Sequence, residues 1–343
     1  MKVGFIAPMS IAAVNGGLRT QALQTIKYLK NLGVEAIEIS PWTDIQNLNC
    51  TLFHVFGATI ENAGIVKALS ASETPMVLSP VFYSNRSAFT IKHSISFEKL
   101  LGSFGRGIRS EFSIKKELCE AADLVFPNTS EEANLIKKGF SLPSKRIRVI
   151  PNAVEESFVN SSADLFRETY SLNDFILFVG QAGAKRKNVK TLLRTAHHFD
   201  NEIVIIGSFD NSEYSQDCKR LIEKASNVTY IGPLSHNSPL LASAYAASKV
   251  FVLPSQFETP GIAAMEAALA GSSIVITKKG GTKDYFKDLA EYIDPGSEDS
   301  LIKGIKNALQ TERSDQLKNH ILNNFTWKKV AEETLKYYKE LAT

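Results

Sequence analysis

Residues 254–271 read PSQFETPGIAAMEAALAG, and their neighbours decide the fold. Val250–Leu253 (VFVL) precedes them, an apolar run of the kind that makes a strand buried on both faces. Behind it, Thr259 stands where an N-cap belongs, Pro260 where the first helical residue belongs, and Gly271 where a helix stops. Ile262, Ala263, Ala264, Met265, Ala267, Ala268 and Leu269 make that helix apolar nearly all round, so it should be buried. A strand feeding a buried helix through a short loop is the unit of an α/β sheet.

The unit recurs in both directions. Val3–Ala7, Ala36–Ile39, Leu52–Phe56, Met76–Ser79, Leu124–Pro127 and Arg148–Ile150 form one series of short apolar runs. Phe175–Val179, Ile203–Ile206, Val228–Ile231, Val250–Leu253 and Ile274–Thr277 form a second. Helical patterns lie between them, such as Leu18, Ala22, Ile26 and Leu29 ahead of Gly33. Parallel strands with right-handed crossovers follow, in two Rossmann-like domains. The polar stretch from Pro151 to about Asp174 reads as the linker. Val330, Leu335 and Tyr338 give the last segment, Trp327–Leu341, an amphipathic helix.

A length of 343 residues fits two domains, and 44% hydrophobic with 22% charged residues excludes a disordered or fibrous chain. No run reaches the ~18 apolar residues of a membrane-spanning helix. The opening MKVGFIAPMSIAAV is broken by Pro8, so an export signal is not expected. Cys50, Cys119 and Cys218 lie far apart with no CxxC pair, which excludes a disulfide framework or zinc site and fits a cytoplasmic protein. Net charge of +3 points to no nucleic acid. Residues 1–150 carry 17 Lys+Arg against 12 Asp+Glu. That basic half, and the run FGRGIRSEFSIKKEL at 104–118, could meet a membrane surface or a phosphorylated acceptor, or be a solvated face.

Three segments carry chemistry. Glu258 and Glu266 flank the start of the buried helix and, at ~1.5 Å per residue, stand roughly 10–12 Å apart. Between them the helix N-terminus offers free N–H groups and the positive end of its dipole, which suits a diphosphate. A sugar nucleotide has hydroxyls at both ends and a diphosphate in the middle, and matches that arrangement. The plainer reading, a cap and a solvated residue, fits an apolar helix poorly, because a buried carboxylate needs partners. In FILFVGQAGAKRKNVKTLL (175–193), Arg186 and Lys187 follow a strand end, and Asn188 can cap the next helix. Cations there can neutralise a diphosphate leaving group. Asn15-Gly16-Gly17-Leu18 is a weaker signal, since glycines serve either phosphate approach or tight packing.

In this order these segments resemble family 4 of the retaining GT-B glycosyltransferases. HVFG with His54, PNTSEEANLI (127–136), IPNAVEESF (150–158), VIIG (204–207), YIGPL (230–234) and FTW (325–327) complete the likeness. It implies two facing Rossmann-like domains with the terminal helix crossing back to the first. Residues 1–155, completed by 327–343, would form the acceptor side, and 170–326 the nucleotide-sugar side. It further implies that Glu266 holds the ribose, Glu258 the donor sugar, and Arg186 and Lys187 the diphosphate. Gly16, Gly17, Gly261 and Ile262 would approach the donor through their backbone, and Leu234 would lie near the base. The chain departs from the family at Gln181, where many members carry Arg, and at Pro260, which has no N–H to give. It also lacks a His after Met76–Ser79, leaving His54 or His93 for the acceptor side, although a lone His is more often structural.

The activity expected is a metal-independent, cofactor-free hexosyl transfer, with retention, from a UDP- or GDP-sugar to an acceptor hydroxyl. Polysaccharide or glycolipid assembly, with a sugar or lipid-linked saccharide acceptor, would be its setting. A GT-B nucleotide-sugar epimerase and a non-catalytic sugar-nucleotide-binding subunit are the alternatives.

Overall fold

A computed structural model describes residues 1–13, 16–102 and 109–342. Asn15 of the glycine loop and residues 104–108 of the basic run lie outside the described residues. The chain divides into two units, Met1–Ala153 with Trp327–Thr343, and Val154–Thr326.

The first unit runs β1 (Lys2–Ile6), α1 (Gly17–Asn31), β2 (Glu35–Glu38), β3 (Leu52–Phe56), α2 (Ile60–Leu69), β4 (Met76–Ser79), α3 (Ala88–Gly102), α4 (Glu111–Ala121), β5 (Leu124–Val125) and α5 (Ser130–Gly139). Its sheet is parallel, ordered β2-β1-β3-β4-β5. The mostly apolar runs of β3 and β4 are buried throughout, whereas Glu35 and Glu38 leave β2 exposed as an edge strand. Arg148–Ile150, expected as a closing strand, lies along β5, with the Arg148 and Ile150 amides donating to Val125 O and Pro127 O at 3.0 and 2.9 Å. Pro127 has no N–H to return a bond, so the pairing stays at a single bridge, between Val125 and Ile147.

The second unit runs α6 (Asp164–Tyr170), β6 (Ile176–Val179), α7 (Val189–Arg194), β7 (Ile203–Ile206), α8 (Glu213–Lys224), β8 (Val228–Gly232), α9 (Pro239–Ala247), β9 (Val250–Leu253), α10 (Ile262–Leu269), β10 (Ser273–Thr277), α11 (Thr282–Phe286), β11 (Glu291–Ile293), α12 (Glu298–Gln310) and α13 (Asp315–Asn324). The sheet order is β11-β10-β9-β6-β7-β8, again parallel. Edge strand β11, sequence EYI, has no apolar run to reveal it. The supposed linker is part of this unit from Val154 onward. Phe158 and Phe166 lie in its core, and the Phe166 amide donates to Ser243 Oγ at 2.9 Å. Polar neighbours hid those two anchors.

The last helix, α14 (Trp327–Leu341), belongs to the first unit. Trp327, Val330, Ala331 and Tyr338 bury one stripe against Val3, Phe5, Leu29 and Phe56. Among the described residues, no helix is long and apolar enough to cross a membrane.

Candidate functional site

In the second unit the chain enters the sheet at β6 and builds outward on both sides. Strand order therefore reverses between β6 and β9. Ligands of open α/β sheets bind beyond the carboxyl ends of the strands at such a switch point. The loops leaving these two strands carry Arg186, Lys187 and Glu258. Glu258 Oε1 accepts from Lys187 Nζ at 2.6 Å, from Ser255 Oγ at 2.6 Å and from Arg186 Nη1 at 3.5 Å. Burial alone would raise the Glu258 carboxyl, but the charges of Lys187 and Arg186 outweigh it and hold the group below the ordinary carboxylate value.

The two loops are also sewn together by their backbones. Gln256 N donates to Arg186 O at 2.8 Å, and the Arg186 guanidinium donates to Phe257 O at 3.2 Å. Asn188 does not cap α7 with its side chain. Its Nδ2 bridges Pro254 O and Pro295 O instead, each at 3.0 Å. The loop after β10 supports Glu258 from behind, where the Glu258 amide donates to Lys279 O at 3.1 Å. Gly280 sits so close that a Cβ there would lie 2.3 Å from Glu258 O, and its φ of +98° also demands glycine.

Helix α10 starts later than its sequence implies. Gly261, at φ +89°, is the N-cap, so Thr259 and Pro260 lie in the loop before it. The amides of Ile262 and Ala263 have no acceptor among the described residues, leaving the first turn open to an anion.

Within α10, Glu266 is buried as expected, and its partners are ones that sequence reasoning missed. Oε1 accepts from His236 Nε2 and Oε2 from the Tyr245 hydroxyl, both at 2.8 Å. Tyr245 comes from α9, and His236 from the loop after β8 that also carries Leu234. Phe158 closes the edge of both rings at 5.8 and 5.6 Å. The only signal in the sequence is a histidine and a tyrosine at no regular spacing from Glu266. The hydrogen bond to Glu266 raises His236 from an ordinary 6.5 to about 9. A raised histidine contributes stability in full below pH 6.5, and that contribution fades as pH climbs through about 9. The melting temperature of the wild type should therefore exceed that of His236→Asn near pH 6, with the gap closing toward pH 9.5. A gap that stays constant across a pH series of thermal melts would show that the pair does not titrate in this way.

In the first unit, Gly16 is the N-cap of α1 and Gly17 its first residue. Among the described residues, a Cβ at either position meets nothing within 4 Å, so packing against them does not ask for glycine there. His54 corrects an expectation. It is a core residue, 1% exposed, with Nε2 at 2.8 Å from Ser79 Oγ and Nδ1 bonded to the Tyr338 hydroxyl. Burial lowers it to about 3, and an uncharged, fully engaged imidazole has nothing left for an acceptor. Its position ties β3 to α14. His93 is exposed on α3, with its ring 3.8 Å from that of Phe89.

This architecture has known counterparts. Sucrose-phosphate synthase from Thermosynechococcus elongatus superposes with a TM-score of 0.77 at 16% identity, covering 99% of each chain. The Anabaena protein HepE, solved in complex with UDP, gives a TM-score of 0.73 at 15% identity, over 99% of this chain and 100% of that one. The fold is GT-B. Residues 166–324, inside the second unit, match the family described as "Glycosyl transferases group 1". An uncharacterized glycosyltransferase of Methanocaldococcus jannaschii is 28% identical over 223 residues, 58% of this chain and 55% of that one. Glycogen synthase of Clostridium botulinum is 32% identical over 161 residues, 42% of this chain and 32% of that one. The chain thus spans about half or less of the length of these relatives.

Proposed function

We propose that this protein is a group 1 glycosyltransferase that moves a hexosyl unit from a nucleoside diphosphate, UDP or GDP, to an acceptor hydroxyl with retention. The observation that carries the reading is the meeting of Glu258 with Lys187 and Arg186 at the switch point of the second sheet, at the head of α10. Breaking the bond between the anomeric carbon and the diphosphate leaves negative charge on the departing phosphate. Lys187, Arg186 and the open amides of α10 are placed to stabilise it. Glu266 takes the ribose, Glu258 the sugar, and Leu234 lies toward the base. Gly16 and Gly17 contribute backbone contacts to the donor, and the first unit receives the acceptor. The acceptor oxygen bonds to the anomeric carbon on the face the leaving group vacates, and its proton passes to the departing phosphate oxygen. The UDP bound by HepE supports this donor class.

With cations on the chain to neutralise the diphosphate, the reaction needs no divalent metal. A panel of nucleotide sugars screened by thermal stabilisation should identify the donor, since a bound ligand raises apparent stability. Transfer from that donor with excess EDTA is expected at nearly the rate seen with magnesium. A loss beyond tenfold that magnesium or manganese restores would refute metal independence. Nucleotide binding with neither transfer nor donor hydrolysis would point instead to a sugar-nucleotide-binding subunit.

A further inference from the structure

Helix α3 of the first unit is apolar on two opposite sides, and only one of them is buried. Ile91 and Ile95 are 0% and 4% exposed and face the core with α5 and β4. Phe89 and Phe97 are 71% and 61% exposed, and Leu100, close to them on the wheel, is 60% exposed. With His93 between them, these positions fall within about 80° of arc at 3.6 residues per turn. A soluble helix normally turns charge outward, so an aromatic outer face calls for an explanation.

The charges around this face decide which partner it suits. Lys92 is exposed beside the aromatic stripe, and Arg86 is exposed just before the helix. Glu98, the one carboxylate of α3, is turned inward to accept from Ser113 Oγ at 2.7 Å. The unit as a whole carries 21 Lys+Arg against 15 Asp+Glu, while the other carries 18 against 21. At about 200 Å² per phenylalanine side chain, the exposed Phe and Leu surface comes to roughly 370 Å². That is less than half of the ~800 Å² each partner contributes to a stable protein interface. A lipid surface needs no such area, because a few aromatic and aliphatic tips at the headgroup boundary suffice when cations beside them meet anionic lipid.

We propose that α3 docks the first unit onto an anionic lipid surface, inserting Phe89, Phe97 and Leu100 while Lys92 and Arg86 meet the headgroups. This surface is separate from the nucleotide site, and the experiment below uses no nucleotide, so its failure would leave the transferase reading untouched.

Sedimentation of the full chain with vesicles is the test, comparing phosphatidylcholine alone with phosphatidylcholine containing roughly one-third phosphatidylglycerol. The wild type is expected to bind the anionic vesicles at least tenfold better than the neutral ones, and less well in high salt. Phe89→Ser/Phe97→Ser should lose that binding at least tenfold with an unchanged circular dichroism spectrum. Phe89→Trp/Phe97→Trp should retain it, with a blue shift in indole emission on anionic vesicles only. Equal binding to both vesicle types would overturn the proposal, as would serine variants that bind like the wild type or indoles that do not shift. A dimer in light scattering that the serine variant abolishes would also overturn it, by giving the face to a second copy of the chain.

Discussion

Lys187→Met is expected to lower kcat/KM for sugar transfer by about 100- to 1000-fold, the loss that follows removal of a main charge stabiliser from a buried site. The same change should destabilise the second unit by about 3 kcal/mol, the low end for breaking a buried ion pair by removing one partner. The low end applies because Arg186 and Ser255 still reach Glu258 Oε1, although Arg186 does so at 3.5 Å rather than 2.6 Å. The pH dependence gives an independent check. A carboxyl held below its ordinary value contributes stability above that value and loses it as pH falls through the depressed one. The wild type should therefore lose stability on acidification below about pH 4.5 more steeply than Lys187→Met does. Steady-state kinetics and urea unfolding across that range read both effects. Lost stability with kcat/KM intact would mean the pair holds two loops together and does no more.

The α/β class and most strands could be read because buried parallel strands have to be apolar. VFVL at 250–253, IVII at 203–206 and LFHVF at 52–56 have no other plausible use. The same logic fails at the edges. Strand β11 is half polar because one side of it faces water, and Arg148–Ile150 follows β5 but forms no regular ladder because Pro127 has no N–H to donate. Glu258, Arg186 and Lys187 could be found because a charged residue beside a strand end or before an apolar helix stands out locally. That Glu258 binds the two cations directly could not be read, because 71 residues separate Lys187 from Glu258 and only the adjacency of β6 and β9 joins them. His236 and Tyr245 stayed hidden for the same reason. His54 misled in the opposite direction. Its neighbours in HVFG place it in a strand, but whether a strand histidine reaches solvent depends on what covers the sheet, and here Tyr338 of the terminal helix does.

The division of labour between the two glutamates bears most directly on the reading. In Glu266→Gln, the amide keeps one oxygen acceptor, and its NH2 turns the Tyr245 hydroxyl or His236 Nε2 from donor to acceptor. The side chain is then uncharged and offers one acceptor oxygen fewer. Free nucleoside diphosphate and intact donor should both bind more weakly, by roughly 1–3 kcal/mol, the worth of a charged hydrogen bond. Glu258→Gln acts differently, because it removes the counter-charge of Lys187 and Arg186 and frees both for a diphosphate. Bare nucleotide should bind as well as before or more tightly, while turnover of the sugar donor falls, mainly in kcat if the contact strengthens in the transition state. Calorimetry of both variants with the nucleoside diphosphate and with its sugar conjugate separates these outcomes. If Glu258→Gln weakens the bare nucleotide as much as Glu266→Gln does, the donor does not lie along α10 in the order proposed. If neither variant changes binding or turnover, the two carboxylates are there to hold Lys187, His236 and Tyr245 in place, and sugar transfer loses its main support.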